Sequence, residues 1–547
     1  MTTASLRPIL ILLVCIANTS IHAQTVTLGG TIRDSYSVSP VESIRVDISQ
    51  TSDPGKLYTV YTSTAGTWSY SFLSTSAGRT DEVPFAFDLQ QNFPNPFNPS
   101  TTIYFSVPWN GPVMVLVHNI LGQLIDSRTY ALVPGGYSVQ WTGKGAAGPL
   151  FYTVQSGGRS LTKKMIQLDG GNGGGLGNVM LVGGFAPVLR KSAASDFSVM
   201  VTKLGYEPDS ITVSAVNNSA INFSLTTVHR RAFVFDLHND IAEYMIDGYQ
   251  LGIRHVSNQS DIPRFLDGGI DGQMIVLWTD SSTSPTTPYQ RTIQMYDTCI
   301  AQFNRNSATI ARATTSAEIQ SIHAAGKIAA VLCVEGGHAI QEDLNKLINF
   351  YKLGARYFTI TWNYTLPWAT AAADPLSATK GLSDFGRQVI RTADSLGMLV
   401  DVSHVGIKTI EDILAVTKNP IIASHSGVRT LRNSTRNLTD DQIRAIAQGG
   451  GVIGVVFYTS FLSSSAASSV NIDTVIKHID YIKNLVGVDH VAIGSDYDGG
   501  ISAPVGLENV SKLQNLTMAL LRKGYSPADV RKVLGENYLR VFKAVCK

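Results

Sequence analysis

Two patterns of hydrophobic and polar positions divide this chain. From Thr25 to about Thr226, short runs alternate apolar residues with Ser, Thr and other polar residues, and turn-forming residues separate them. That is the pattern of half-buried strands in β-sandwiches. From about His229 the texture changes to continuous apolar runs separated by helix-like stretches. Eight runs predict buried strands over 233–236, 272–278, 329–334, 357–361, 398–402, 420–423, 451–457 and 491–494. Helices are expected over 384–396, with Ser383 as N-cap, and over 408–415, 440–447 and 473–485. Eight strand–helix alternations over roughly 300 residues predict an α/β fold, a (β/α)8 TIM-type barrel, preceded by all-β sandwich domains.

In such a barrel the functional residues gather at the C-terminal ends of the strands. The first strand runs Phe233-Val-Phe-Asp-Leu-His238-Asn-Asp240, and side chains two apart on a strand share a side. The third ends in Glu335-Gly-Gly-His338, the fifth in Asp401-Val-Ser-His404, the sixth in Ser-His425 and the eighth in Asp496-Tyr-Asp498. Metal-type ligands at the ends of five of eight strands predict a metal centre. Neutral imidazoles and carboxylates suit Zn2+. Two ions about 3.5 Å apart need one bridging carboxylate and hold a shared hydroxide as the nucleophile. Glu335, lying between the first-strand pair and the pair His404/His425, is the natural bridge. Asp496 is placed to take a proton from the attacking water and pass it to the leaving amine. His338 is expected beside the ligand set rather than in it, and Asp498 as a turn former or a hydrogen-bonding support. His255, His323, His478 and His490 lack ligand spacing and read as surface or helix-end residues.

Composition narrows the setting. The 547 residues exceed one ordinary core, 44% are hydrophobic and 15% charged, and the net charge of +2 leaves no electrostatic footprint for nucleic acid. Arg7, the apolar run 9–16 and small residues up to Ala23 read as a signal peptide over 1–23. An exported protein is expected, in the periplasm, at the cell surface or secreted. No later stretch reads as a transmembrane helix. Beyond the leader, Cys299, Cys333 and Cys546 remain; either a Cys299–Cys333 bridge or separate buried thiols fits.

Two modules of the first half carry resemblances. Gly29-Gly-Thr-Ile-Arg-Asp, Ser43-Ile-Arg-Val-Asp-Ile and Gly66-Thr-Trp-Ser-Tyr-Ser-Phe72, with the later segments starting at Phe197 and Ile221, resemble a carboxypeptidase regulatory-like sandwich. It would occupy 25–78 and 195–226. Gln91-Asn-Phe-Pro-Asn-Pro-Phe-Asn-Pro-Ser-Thr-Thr-Ile103 and Val117-His-Asn-Ile-Leu-Gly122 resemble the type IX secretion sorting domain, inserted here over 85–169 rather than ending the chain. The Gly-rich run that follows is expected to be a flexible linker, 170–194.

The second half, 229–547, resembles the membrane dipeptidase (renal dipeptidase) family of metallo-dependent amidohydrolases. The resemblance rests on Val334-Glu-Gly-Gly-His-Ala-Ile340, Asp401-Val-Ser-His-Val405, Ser424-His-Ser426, Arg436-Asn437 and Asp496-Tyr-Asp-Gly499 together. It implies two zinc ions per chain, the first on His238, Asp240 and Glu335, the second on Glu335, His404 and His425. It also implies Arg436 as anchor for the substrate's carboxylate, which agrees with bidentate guanidinium chemistry. One departure stands out. Where the mammalian enzyme has Thr-His after the fourth strand, this chain reads Thr359-Ile-Thr-Trp362-Asn363. The Trp362 indole N–H and the Asn363 amide are the substrate-binding donors at hand. The leading expectation is an exported zinc dipeptidase acting on small dipeptides. The alternatives are a binuclear amidohydrolase for N-acyl amino acids, β-lactam-like rings or cell-wall amides, and a surface-binding protein with a relic barrel. A homodimer and cell-surface association through the sandwiches are compatible with each.

Overall fold

The eight apolar runs of the second half close into a parallel barrel in the computed structural model, which describes residues 23–51, 53–75, 87–181, 196–214, 220–280 and 286–547. Its strands are β1 (Phe235–Asp236), β2 (Gly272–Trp278), β3 (Ile328–Glu335), β4 (Ala355–Thr359), β5 (Leu399–Asp401), β6 (Ile422–Ser426), β7 (Val452–Val455) and β8 (Val491–Ile493). Neighbours in sequence pair in order, β8 returns to β1, and β2 pairs with β3 from Gly272↔Ala329 to Trp278↔Glu335. All eight strands are buried along almost their whole length, because helices cover the outside and side chains fill the inside. The four expected helices form at Asp384–Leu396, Ile407–Val416, Asp440–Gln448 and Ile472–Val486, and the Ser383 side chain caps the first by accepting from Gly386 N–H. A short strand absent from the sequence reading, Ile310–Arg312, pairs with the start of β3. Three residues are too few to produce a periodic signal.

One mouth of the barrel is sealed. The C-terminal helix Asn537–Val545 lays Tyr538, Val541 and Phe542 against Phe235, Met274 and Ala329, which lie near the beginnings of their strands. The rings of Phe235 and Tyr538 are 4.9 Å apart. Among the described residues, the open mouth lies at the C-terminal ends of the strands.

The first half forms two sandwiches. Ala23–Asp34, Thr67–Thr75 and Phe223–Leu225 make one sheet, and Arg45–Gln50, Asp53–Tyr61, Phe197–Thr202 and Asp209–Val213 the other, around Leu28, Ile32, Val46, Ile48 and Val199. The second sandwich, from Asp88 to Leu181, packs two four-stranded sheets on Phe105, Trp141 and Tyr152. The expected Gly-rich linker is corrected here: Gly171–Leu181 is a strand, antiparallel to Gly135–Gly145, with register shifts after Asn172 and Leu176. A Cβ on Gly173 would come 2.6 Å from the Gly143 carbonyl, so glycine lets these backbones close. Residues 182–194 of that linker, and the signal segment up to residue 22, lie outside the described residues. The first sandwich touches the barrel through the ion pair Glu207–Arg531 and through Arg230, 4.6 Å above the Tyr36 ring.

Cys299, Cys333 and Cys546 are separate, buried thiols, which excludes the Cys299–Cys333 bridge. Cys299 sits in the layer between strands and helices, whereas Cys333 faces the barrel interior.

Candidate metal centre

The polar residues reach the open mouth because the chain turns as each strand ends. β1 stops at Asp236, whose buried carboxylate accepts from Ser495 N–H (2.8 Å), Ser495 Oγ (2.6 Å) and Gln273 Nε2 (3.0 Å), tying β1 to its neighbours. His238 and Asp240 therefore lie beyond the strand, not on it. Strand alternation does not bring them together; the turn does, with Asp240 at the N-cap of the helix Ile241–Ile246. His404, Asp496 and Asp498 adopt φ of +68°, +65° and +66°. Left-handed backbone at residues other than glycine is costly and concentrates at functional loops.

Glu335, at the end of β3, faces both groups of imidazoles. Its Oε2 is 3.4 Å from His238 Nε2, while Oε1 is 3.1 Å from His404 Nε2 and 3.8 Å from His425 Nε2. His238 Nε2 is also 3.4 Å from Asp240 Oδ2 and 3.9 Å from Asp496 Oδ1. His404 and His425 bring their Nε2 atoms within 3.0 Å of each other. All five residues expected as ligands thus converge, and Asp496 joins them on the His238 side.

Each imidazole is held by its other nitrogen. His238 Nδ1 meets the Tyr357 hydroxyl at 2.8 Å, His404 Nδ1 meets Asn363 Oδ1 at 2.8 Å, and His425 Nδ1 meets Ser424 Oγ at 2.9 Å. Such partners fix ring orientation and leave Nε2 free to ligate. His238 Nε2 and Glu335 Oε1 are buried without a hydrogen-bond partner. Bare imidazole nitrogens pointing at carboxylate oxygens repel unless a cation lies between them, so this donor set fits divalent metal and, with only N and O atoms, zinc.

The charges agree. Five buried carboxylates, Asp236, Asp240, Glu335, Asp401 and Asp496, gather here with the Arg436 guanidinium. Burial opposes charge on His238, yet Asp240 and Glu335 outweigh it and hold its pKa well above the ordinary value. Burial would raise Glu335 too, but the facing imidazoles, His238 foremost, drive it well below. Burial pushes Asp496 well above the usual carboxylate range, with Asp240 and Glu335 adding to it. Burial, reinforced by Arg436, lowers His404 to about 4.

The centre opens into a cavity of about 410 Å³, lined among others by Glu243, Tyr244, Trp278, Trp362, Asn363, Arg436, Tyr458 and Phe461. Arg436 is buried, donates to His425 Nε2 at 3.0 Å and lies 5.2 Å from the Phe461 ring centroid. Trp362 packs on Trp278 with ring centroids 4.8 Å apart. Glu243, absent from the sequence reading, has its pKa raised to about 7, by burial first and by Asp240 next. Also missed were the supporting roles of Asp236, Asp401, Ser424 and Tyr357. A charged residue inside an apolar run, as in Phe-Asp236-Leu and Val-Asp401-Val, was the available signal, since such a group needs several hydrogen bonds to be buried.

His338 stands outside the ligand set, with Nε2 on the Thr279 carbonyl at 2.7 Å. Asp498 anchors the loop at 258–259 by accepting from Gln259 N–H at 2.7 Å. His255 stacks on Tyr249, His323 pairs with Asp271, and His490 bonds to the Gly451 carbonyl. His478 is a correction: it is buried inside its helix, where it joins Val428 N–H to the Leu462 carbonyl.

Residues 224–547 match the family model of membrane dipeptidase (Peptidase family M19). Among solved structures, the dipeptidase AC, a metallopeptidase of family M19, is similar at 26% identity and TM-score 0.54, over 58% of this chain and 99% of that one. A metallopeptidase from Rhodobacter sphaeroides, liganded with a phosphinate mimic of the dipeptide L-Ala-D-Ala, is similar at 26% identity and TM-score 0.54, over 57% and 99%. The probable dipeptidase PvdM from Pseudomonas aeruginosa, at 23% identity and TM-score 0.54 over 58% and 96%, shares the fold.

Proposed function

The chain belongs to the membrane dipeptidase family and is a metallo-dipeptidase, and from that premise we propose an exported enzyme that holds two zinc ions and splits dipeptides with water. The observation that carries the two-metal reading is Glu335, whose two oxygens face different imidazoles, Oε2 toward His238 and Oε1 toward His404 and His425. In this reading His238, Asp240 and Glu335 hold one ion, and Glu335, His404 and His425 the other. When bound, the ions supply a water activated to attack at neutral pH and polarise the scissile carbonyl.

The protein's own groups do the rest. Arg436, on the cavity wall, pairs with the substrate's free carboxylate. Asp496, with Oδ1 3.9 Å from His238 Nε2 at the edge of the centre, receives a proton from the attacking water and delivers it to the leaving amine. Trp362 and Trp278 form an aromatic wall that limits the side chains admitted. The neighbour holding an L-Ala-D-Ala mimic supports including L,D-dipeptides among the substrates. Export rests on the reading of residues 1–23, and no helix among the described residues is long and apolar enough to cross a membrane.

The same aromatic wall favours the second reading, in which acylated amino acids or cyclic and cell-wall amides are cleaved. Metal content and initial rates on L,L-, L,D- and N-acetylated dipeptides separate the two. Two zinc ions with chelator-sensitive cleavage of free dipeptides supports the first. Turnover of blocked or cyclic amides alone supports the second. A folded chain that neither takes up zinc nor turns over would leave only the surface-binding reading.

A further inference from the structure

We propose that Asp401 and Ser424 form a buried relay that fixes which nitrogen of His425 and His238 carries the proton and so couples the two metal subsites. The inference rests on the two-metal reading above. Asp401, at the end of β5, is fully buried beneath the ligands. Its carboxylate accepts from Thr359 Oγ1 at 2.6 Å, Ser424 Oγ at 2.7 Å, Ser424 N–H at 2.8 Å and Ser403 N–H at 3.1 Å. No Lys, Arg or His among the described residues forms an ion pair with it; four hydrogen bonds surround it, and the Arg436 guanidinium acts on it at longer range.

A carboxylate only accepts, and at 2.7 Å Asp401 is a closer acceptor for the Ser424 hydroxyl proton than Ser403 Oγ at 3.3 Å, so that proton goes to Asp401. What Ser424 Oγ has left are lone pairs, and they face His425 Nδ1 at 2.9 Å and His238 Nδ1 at 3.3 Å. Both imidazoles then carry a proton on Nδ1. Two contacts outside the relay agree. His425 Nε2 accepts from Arg436 Nη2 at 3.0 Å and is therefore unprotonated. The Tyr357 hydroxyl donates to the Leu237 carbonyl at 3.2 Å, which leaves its oxygen to accept from His238 Nδ1 at 2.8 Å.

One oxygen thus touches an imidazole from each subsite. Asp401→Asn conserves volume but not this direction. If the Asn nitrogen faces Ser424 Oγ, it takes the lone pair and turns the hydroxyl proton toward His425 Nδ1. If it faces the backbone, it meets two N–H donors. That opposition of N–H donors disfavours the second orientation, and the first breaks the relay, much as an isosteric amide in place of a triad carboxylate imposes the wrong tautomer. Ser424→Ala acts more narrowly, since His238 keeps Tyr357 and His425 loses its acceptor.

The test uses the full-length, metal-stripped chain with 15N-labelled histidine, followed by zinc titration against a competing chelator. In the parent protein His425 should show the Nδ1–H tautomer, and in Asp401→Asn the Nε2–H form. Zinc affinity should fall roughly 10–100-fold at both subsites in Asp401→Asn, and at one subsite in Ser424→Ala. Melting of the metal-free chain should stay within a few degrees of the parent. Unchanged zinc affinity in both variants, or an unchanged tautomer in Asp401→Asn, overturns the relay. If Asp401→Asn does not fold, Ser424→Ala decides, because it removes a single oxygen. If the parent takes up no zinc, the two-metal reading fails, and the tautomer spectra still judge the relay.

Discussion

Asn363 turns its amide oxygen to the Nδ1 of His404 at 2.8 Å, so the residue expected to bind substrate is also a brace for one of the proposed metal ligands. Two further contacts from the same stretch of the barrel mouth hold His404: Thr361 Oγ1 donates to its carbonyl at 3.0 Å, and Ala372 N–H does so at 2.8 Å. With Nδ1 bound to an acceptor, Nε2 is presented to Glu335. Asn363→Ala should weaken zinc at that subsite by roughly 10–100-fold. Asn363→Asp, which keeps an acceptor oxygen, should retain most of the affinity. Chelator competition measures both, and an Ala variant with parental zinc affinity would remove the bracing role.

Glu335 and Asp496 are both buried carboxylates close to His238, yet their substitutions should part company. Glu335→Gln takes away the anion that two sets of imidazoles face, and should release both metals or leave them uncoupled. Asp496→Asn should keep both metals and lose roughly 10²–10⁴ in kcat, the usual contribution of a positioned proton carrier. Metal analysis beside kinetics reads the difference. Near-parental kcat in Asp496→Asn would sink the proton-carrier assignment.

How far this was legible from the chain depends on the kind of signal. The barrel strands announced themselves because each is a run of apolar residues buried on both faces, and β2 over Gly272–Trp278 matches its expected span. The convergence of the candidate ligands was legible because strand ends in a closed barrel point to one mouth. Two things were not. Gly171–Leu181 read as a linker by composition, but its glycines serve close backbone pairing, which depends on the partner strand. Trp278 and Tyr357 looked like ordinary strand residues, and Ser424 entered only as part of a motif, with no role of its own. They support the centre through side-chain contacts, Trp278 to Trp362 and Tyr357 to His238 between different strand ends, and Ser424 to its neighbour His425, none of which leaves a periodic signal.

Among the described residues lining the cavity Arg436 is the only Lys or Arg, and the Phe461 ring beside it is 5.2 Å away. Arg436→Ala should raise KM for dipeptides with a free carboxylate by roughly 10–100-fold, the worth of a charge-assisted hydrogen bond, and leave carboxyl-amidated analogues little changed. Arg436→Lys should recover only part, since an ammonium cannot form the two-pronged contact. Because Arg436 also donates to His425, zinc content must be matched before KM is compared. An equal rise for free and amidated substrates would show that the guanidinium acts on the centre rather than on the carboxylate.

His478 sets a pH dependence away from the catalytic centre. Its Nδ1 accepts from Val428 N–H at 3.0 Å and its Nε2–H donates to the Leu462 carbonyl at 3.0 Å, which requires the neutral ring. Burial pushes its pKa below the ordinary 6.5, and burial does the same to His229, held between Thr517 and the Gly268 carbonyl. Below about pH 6.5 the unfolded chain therefore binds protons that the folded chain refuses. Proton uptake then accompanies unfolding, and stability falls as pH drops through that value. Above about pH 7.5 both states carry neutral rings, and these two residues add no slope. Denaturation midpoints at pH 7.5, 6.5 and 5.5 should show the decline on the acid side only. The ring resonances of His229 and His478 should not titrate until below pH 6.5. Titration of either ring at 6.5 or above would mean that these hydrogen bonds do not hold the neutral form.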